Sequence, residues 1–134
     1  MKLLLDSHIL IWAINDDPRL SKEARSLILD ENNTIYYSVA SIWEISIKHA
    51  IHPNNVSFSG GELAAFAEEA GFLSLDLRNK HVFALDTLVR NAEAPHHQDP
   101  FDRILLAQAK EENMSFLTHD TMLQSYEEKC IVSV

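Results

Sequence analysis

The feature that most constrains the fold is an alternation of short apolar or β-branched runs with longer stripes at helical spacing. Leu3-Leu4-Leu5 is a continuous apolar run of the kind a strand buried on both faces requires. It stops at Asp6-Ser7, a pair suited to starting a helix. From Ser21, with Glu23 in the first turn, Ala24, Leu27 and Ile28 recur at helical spacing until Glu31-Asn32-Asn33 breaks the pattern. Thr34-Ile35-Tyr36-Tyr37 reads as a second strand, after which Ser38 caps a helix running through Ile42, Trp43, Ile45 and Ile47 towards Pro53.

The pattern continues to the end of the chain. After the Ser59-Gly60-Gly61 turn, Leu63, Ala64, Phe66 and Ala67 form an amphipathic helix that Gly71 ends before a strand at Phe72-Leu73-Ser74-Leu75. A helical segment around Val82, Leu85 and Leu88 leads to a polar loop from Ala94 to Gln98. Asp99-Pro100 then opens a helix with Phe101, Ile104, Leu105 and Gln108 on one stripe. Ser115-Phe116-Leu117-Thr118 is a short strand, His119-Asp120 starts a short helix, and Ile131-Val132-Ser133-Val134 supplies a last strand. Strands alternating with helices imply βαβ units: a three-layer α/β fold in which a mostly parallel, twisted sheet of four to five strands is flanked by helices. Such sheets bind ligands outside the carboxyl ends of their strands.

Composition narrows the function. A chain of 134 residues with 46% hydrophobic content is the size of one domain, expected to span 1–134. With 3 Gly and 4 Pro, no stretch reads as a tether, and no period repeats. The longest apolar runs are far shorter than a bilayer span, and the N-terminus lacks a signal peptide's apolar segment, so a cytoplasmic protein without membrane partners is expected. Cys130 is the sole cysteine, which excludes an internal disulfide and a thiolate cluster. A net charge of -9 argues against a broad basic surface that coats nucleic acid. Any such role has to be local and metal-assisted.

Four acids fit that requirement. Asp6, Glu44, Asp102 and Asp120 are far apart in sequence, yet each lies just beyond a strand or in the opening turns of the next helix, and parallel strands bring those positions to one sheet edge. Each also has an ordinary explanation, because an acid in a first helical turn caps free N–H groups and suits the helix dipole. Asp99 and Asp102 approximate a capping box, whereas Glu44, flanked by Ile42, Trp43, Ile45 and Ile47, is placed where a buried acid needs a partner. Gathered in one pocket, four carboxylates repel, and a cation keeps them ionised together; all-oxygen ligation selects Mg²⁺ or Mn²⁺.

Leu4-Leu5-Asp6-Ser7-His8, Trp43-Glu44-Ile45, His97-Gln98-Asp99-Pro100-Phe101-Asp102-Arg103 and Leu117-Thr118-His119-Asp120 together resemble PIN-domain proteins, specifically VapC-type toxins. The resemblance covers essentially the whole chain, and Asp-Pro-Phe-Asp-Arg followed by Leu105-Leu106-Ala107-Gln108-Ala109 is its most specific piece. It implies a Mg²⁺- or Mn²⁺-dependent endoribonuclease acting on structured RNA such as transfer or ribosomal RNA, a homodimer, and inhibition by a cognate antitoxin that occupies a groove beside the acids. Asp6, Glu44 and Asp102 match the three main acids and Asp120 the more variable fourth, while the role of Asp99 stays open. Many relatives carry an arginine where His119 stands, so a phosphate contact from this position becomes pH-dependent.

Other residues have competing readings. Arg103 either contacts substrate phosphate or is a solvated arginine. Ser7 and Thr118 orient a carboxylate or simply cap helices. His96-His97 and the His49/His52 pair have zinc-ligand chemistry, but adjacent histidines poorly share one tetrahedral site, and His49 and His52 suit a helix C-terminus. Trp12 and Trp43 sit at apolar helical spacing, which predicts core packing over an interface role. Two other functions compete: a PIN module that binds RNA or a partner without cutting, and a phosphatase-like domain with Asp6 as phosphoryl acceptor, which lacks the expected second acid.

Overall fold

The computed structural model describes residues 1–94 and 99–134. The His96-His97 pair and most of the expected polar loop lie outside them. Five strands, β1 (Lys2–Leu5), β2 (Thr34–Ser38), β3 (Leu73–Leu75), β4 (Ser115–Thr118) and β5 (Ile131–Ser133), form one sheet in the order β3-β2-β1-β4-β5. Every neighbouring pair is parallel. Six helices cover it: α1 (Ser7–Asn15), α2 (Lys22–Leu29), α3 (Val39–Ile51), α4 (Gly60–Glu69), α5 (Asn79–Ala84) and α6 (Pro100–Glu111). The three-layer α/β expectation holds, with five strands among the described residues, each parallel to its neighbours.

The continuous apolar run of β1 is explained by its central place. Leu3 and Leu5 pack with Ile9 and Leu10 of α1, Ala24 of α2, and Leu63 and Ala67 of α4 on one face. Leu4 points to the opposite face, against Leu105, Leu106 and Ala109 of α6 and Phe116 of β4. A strand with helices on both sides has no solvent face, so the two-residue alternation of its side chains separates two cores instead of core from water.

The chain builds outwards from β1 through β2 to β3, then returns to the other side of β1 for β4 and β5. The reversal falls between β1 and β4, and the crevice beyond their carboxyl ends is where doubly wound sheets bind ligands. Asp6 follows β1 directly, its N–H bonded to Leu117 O at 2.9 Å, so the end of β1 is tied to the end of β4.

Two expectations are corrected. The stripe Val82, Leu85 and Leu88 is not one helix: α5 ends at Ala84, a short 3₁₀ turn covers Leu85–Thr87, and Val82 is exposed. Trp43 is not a core residue but 58% exposed on α3, with its ring edge-on to Phe101 at 5.1 Å between centroids. The apolar stripe on α3 is wider than the surface available to cover it. Ile45 faces the core while Val39, Trp43 and Ile47 face outwards. Trp12, by contrast, is half-buried and packs against the first core as expected.

Candidate functional site

Strands β1 and β4 pass into a capped helix and a capped turn, and the capping group is an acid in both, as it is at the start of α6. Asp6 is the N-cap of α1, its Oδ1 accepting from the Ser7 N–H at 2.7 Å. Asp99 caps α6, accepting from Phe101 N at 2.9 Å and Asp102 N at 3.3 Å, with Pro100 as the first helical residue. Asp120 caps the 3₁₀ turn Thr121–Ser125 through Met122 N at 2.9 Å. Capping and convergence therefore coexist: the local reasons for placing an acid at each start are also what aim the acids at one crevice.

Asp6 is 2% exposed and Asp102 8% exposed, with Glu44 buried beside them at 4%. Burial raises the Asp6 carboxyl above its ordinary range. Bonds from Thr118 and the Ser7 N–H, together with nearby His8, pull it back, and Glu44 pushes it up again. Asp102 is pushed up to about 9, first by burial, then by the charge of Asp6, by a hydrogen bond shared with Asp120, and by the charges of Asp99 and Asp120. Asp6, Asp99, Asp102 and Asp120 are thus one electrostatic unit, and Glu44 joins it through Asp6.

The supporting groups are buried hydroxyls. Thr118, fully buried, donates to Asp6 Oδ2 at 2.6 Å and accepts from Asp120 N at 3.0 Å, coupling two acids through one side chain. Ser7 donates to Glu44 Oε1 at 2.7 Å and lies 2.9 Å from the Ser41 hydroxyl. Hydrogen bonds of this charge-assisted kind are worth roughly 1.5–3 kcal/mol each. Both candidate supporting residues orient a carboxylate. Arg103 is half-buried in the first turn of α6, next to Asp102.

Sequence reasoning missed two partners. Lys48 Nζ sits 2.7 Å from Glu44 Oε2, so both oxygens of Glu44 are engaged in this structure. The Glu44–Lys48 spacing of four residues was the available signal. The second is a buried bridge: Ser38 donates to Gln108 Oε1 at 2.5 Å and Gln108 Nε2 donates to Asp76 O at 3.3 Å, fastening α6 to the end of β2. The amphipathic stripe marked Gln108 as inward-facing without revealing its partners. His49 is accounted for locally, its Nδ1 bonded to Val56 O at 2.7 Å.

Among the described residues, no three Asp, Glu, His or Cys side chains form a ready-made metal cage. The donor chemistry nonetheless fits a hard divalent cation. The converging groups are all carboxylates, and burial among acidic neighbours pushes the Asp102 carboxyl up to about 9.

A doubly wound parallel sheet with an acidic crevice at its reversal point defines the class of protein to which comparison can be made. The PIN domain profile matches residues 3–129, and the chain belongs to the PIN domain family. No curated protein shows significant sequence similarity to it. Among solved structures, the VapBC2 assembly of Rickettsia felis, bound to a DNA fragment from their promoter, superposes with a TM-score of 0.70 at 19% identity. That match covers 99% of this chain and 98% of the other. A domain of a functionally unknown protein from Methanocaldococcus jannaschii DSM 2661 superposes with a TM-score of 0.54 at 18% identity, covering 99% and 90%. At these identities the likeness is one of fold. No described helix is long and apolar enough to cross a membrane.

Proposed function

We propose that this chain is a VapC-type toxin: a Mg²⁺- or Mn²⁺-dependent endoribonuclease that hydrolyses phosphodiester bonds in structured RNA and is held inactive by a cognate antitoxin. The observation that carries the reading is the Asp102 carboxyl, raised to about 9 by burial against Asp6, Asp120 and Asp99 at the sheet's reversal point. An arrangement that opposes its own ionisation is costly to the apo fold and suits a site completed by a cation.

In this reading Asp6, Asp102 and Asp120 hold the ion, with Glu44 completing the set when Lys48 releases it. A Mg²⁺ or Mn²⁺ ion so held supplies Lewis acidity toward a phosphate oxygen and a lowered pKa for an attacking water. The chain's own contribution is positioning. Thr118 fixes the Asp6 and Asp120 ends of the cluster, Ser7 and Ser41 fix Glu44, and Asp99 keeps Asp102 at the start of α6. Arg103 is placed to meet substrate phosphate. The antitoxin, the homodimer and a cytoplasmic setting come with the VapC reading, which the fold likeness to the Rickettsia felis assembly supports.

Induced expression in bacteria of the natural chain beside Asp6→Asn, with mapping of RNA ends, tests this proposal. Growth arrest with discrete new ends in the natural chain alone is expected; equal growth and identical RNA ends in both strains would sink it. The engagement of both Glu44 oxygens favours one competing reading, a PIN module that binds RNA or a partner without cutting. Tight Mn²⁺ binding by calorimetry, lost in Asp102→Asn, counts against that alternative.

A further inference from the structure

Glu44 differs from the other acids of the centre in where it stands. Asp6, Asp99 and Asp120 cap the starts of helical turns and Asp102 lies in the first turn of α6, whereas Glu44 lies inside α3. No free helix N–H is available to it there, so its buried carboxylate has to find donors among side chains. It finds two. Ser7 donates to Oε1 at 2.7 Å, and Lys48, one turn later on the same helix, donates to Oε2 at 2.7 Å. Glutamate four residues before lysine is the favourable order, and Lys48 stands in the last turn of α3, where the helix dipole suits an ammonium.

The two ends of this ion pair are unequally held. The Glu44 side chain is 5% exposed and that of Lys48 44%. Glu44 is fixed by Ser7, whose hydroxyl is in turn 2.9 Å from that of Ser41, while Lys48 lines a cleft of about 240 Å³ that also reaches Asn55 and Ser57. An ammonium with that exit returns to water at small cost, and the carboxylate cannot follow it. Lysine suits an exchange of this kind: it is a flexible, strongly hydrated point charge on one oxygen, where an arginine fork grips through two N–H groups. The charge of Glu44 is also felt at Asp6. A divalent ion entering beside Asp6 therefore attracts Glu44 with twice the charge of the ammonium it competes with.

We propose that Lys48 is an exchangeable internal counter-ion of the acidic centre, which neutralises Glu44 in the metal-free protein and yields it, turning into the cleft, when a divalent ion enters. The proposal rests on the metal-dependent reading and adds regulation to it. Glu44 joins the ligand set only at metal concentrations that overcome Lys48, so the pair sets a threshold for loading. Below that threshold it spares the fold an uncompensated buried charge. A pair that merely stabilised α3 would behave in the opposite way on truncation: loss of Lys48 would loosen Glu44 and weaken metal binding.

Two measurements on the full-length protein test this without recourse to cleavage. In calorimetric titration with Mn²⁺, Lys48→Met is expected to bind roughly tenfold more tightly than the natural chain, the order of one charge-assisted hydrogen bond removed from the competition, and Lys48→Arg about threefold more weakly. In a Glu44→Gln background the gain from Lys48→Met is expected to shrink to within about twofold, because the two residues act through one contact. A gain of undiminished size there would mean long-range repulsion of the ion and would overturn the proposal. Lys48→Met leaves a buried carboxylate one donor short, so the second measurement uses the natural chain alone: acetic anhydride labelling read by mass spectrometry. Labelling of Lys48 is expected to rise at least about threefold on saturation with Mg²⁺, while the exposed Lys22 stays constant as internal reference. Unchanged Lys48 labelling at saturating Mg²⁺, or weaker Mn²⁺ binding by a folded Lys48→Met protein, overturns the exchange and leaves the metal-dependent reading standing. Failure of that reading shows separately, as no saturable Mn²⁺ binding by the natural chain or by Lys48→Met, and removes the proposal with it.

Discussion

Thr118 illustrates how much a single buried hydroxyl decides. It holds Asp6 through Oδ2 and receives the Asp120 N–H, so Thr118→Val removes the partner of a buried carboxylate and strands a backbone donor in one step. A loss of about 2–4 kcal/mol in urea denaturation is expected, together with a larger loss of cleavage than of RNA affinity, because the acids and not the substrate contacts are displaced. Asp102 and Asp6, both raised by burial, bear on the pH dependence of the apo protein in the same direction. The Asp102 carboxyl keeps a proton to about 9 in the folded chain but only to its ordinary 3.8 when unfolded. Between those values the folded state binds more protons, so the associated stability is complete below 3.8 and is lost as pH rises through about 9. In the presence of a chelator the urea midpoint should therefore fall with rising pH across this window. Asp102→Asn should flatten the fall, and added Mg²⁺ should stabilise the natural chain more at the alkaline end, where it no longer competes with the proton. A midpoint that rises with pH in the chelated natural chain would contradict this assignment.

At the scale of elements, the contact of α3 with α4 turns on one glycine. Gly60 opens α4 after the Ser59–Glu62 capping box, and a Cβ there would stand 2.0 Å from Ser46 Oγ and 3.0 Å from Ile42 O. Helix propensity alone makes Gly60→Ala stabilising by up to ~1 kcal/mol, but the approach of α3 backbone reverses the sign. A destabilisation of about 1–3 kcal/mol is expected, partly relieved when Ser46→Ala is combined with it, as a double-mutant cycle would show. The same elements show what was legible in the sequence. β1 and the acids Asp6, Asp102 and Asp120 were legible because strand ends and helix caps have local signatures, and a parallel sheet turns those local positions into one place. Trp43 was not, since an apolar stripe reports that a face is greasy and says nothing about which part another element reaches. Lys48, Ser41 and the Ser38–Gln108–Asp76 bridge were missed because polar pairs across the fold depend on how α3 and α6 sit over β2, which no spacing along one segment encodes. Ser7 and Thr118 lay between: capping predicted their positions, and only the packed structure reveals Glu44 and Asp6 as their partners.

At the scale of the whole molecule, an acidic chain carries a cluster of mutually opposed carboxylates at the reversal point of its sheet. Such a layout repels RNA at long range and admits it only where a divalent ion compensates the acids. Added salt should therefore weaken RNA affinity less steeply than in a basic RNA-coating protein, a slope readable from titrations at several salt concentrations. The central claim is that the carboxylates around Asp102 form a metal-dependent ribonuclease centre. The measurement that tests it most directly is cleavage of a folded RNA by the purified chain with Mg²⁺, with Mn²⁺ and with chelator, run beside Asp6→Asn and Asp102→Asn. The account predicts discrete cuts with either metal and none with chelator, and rates at least about a hundredfold lower in both variants, as expected when groups acting together on the reacting centre are removed. Cleavage that persists with chelator, or that both variants retain, would contradict it.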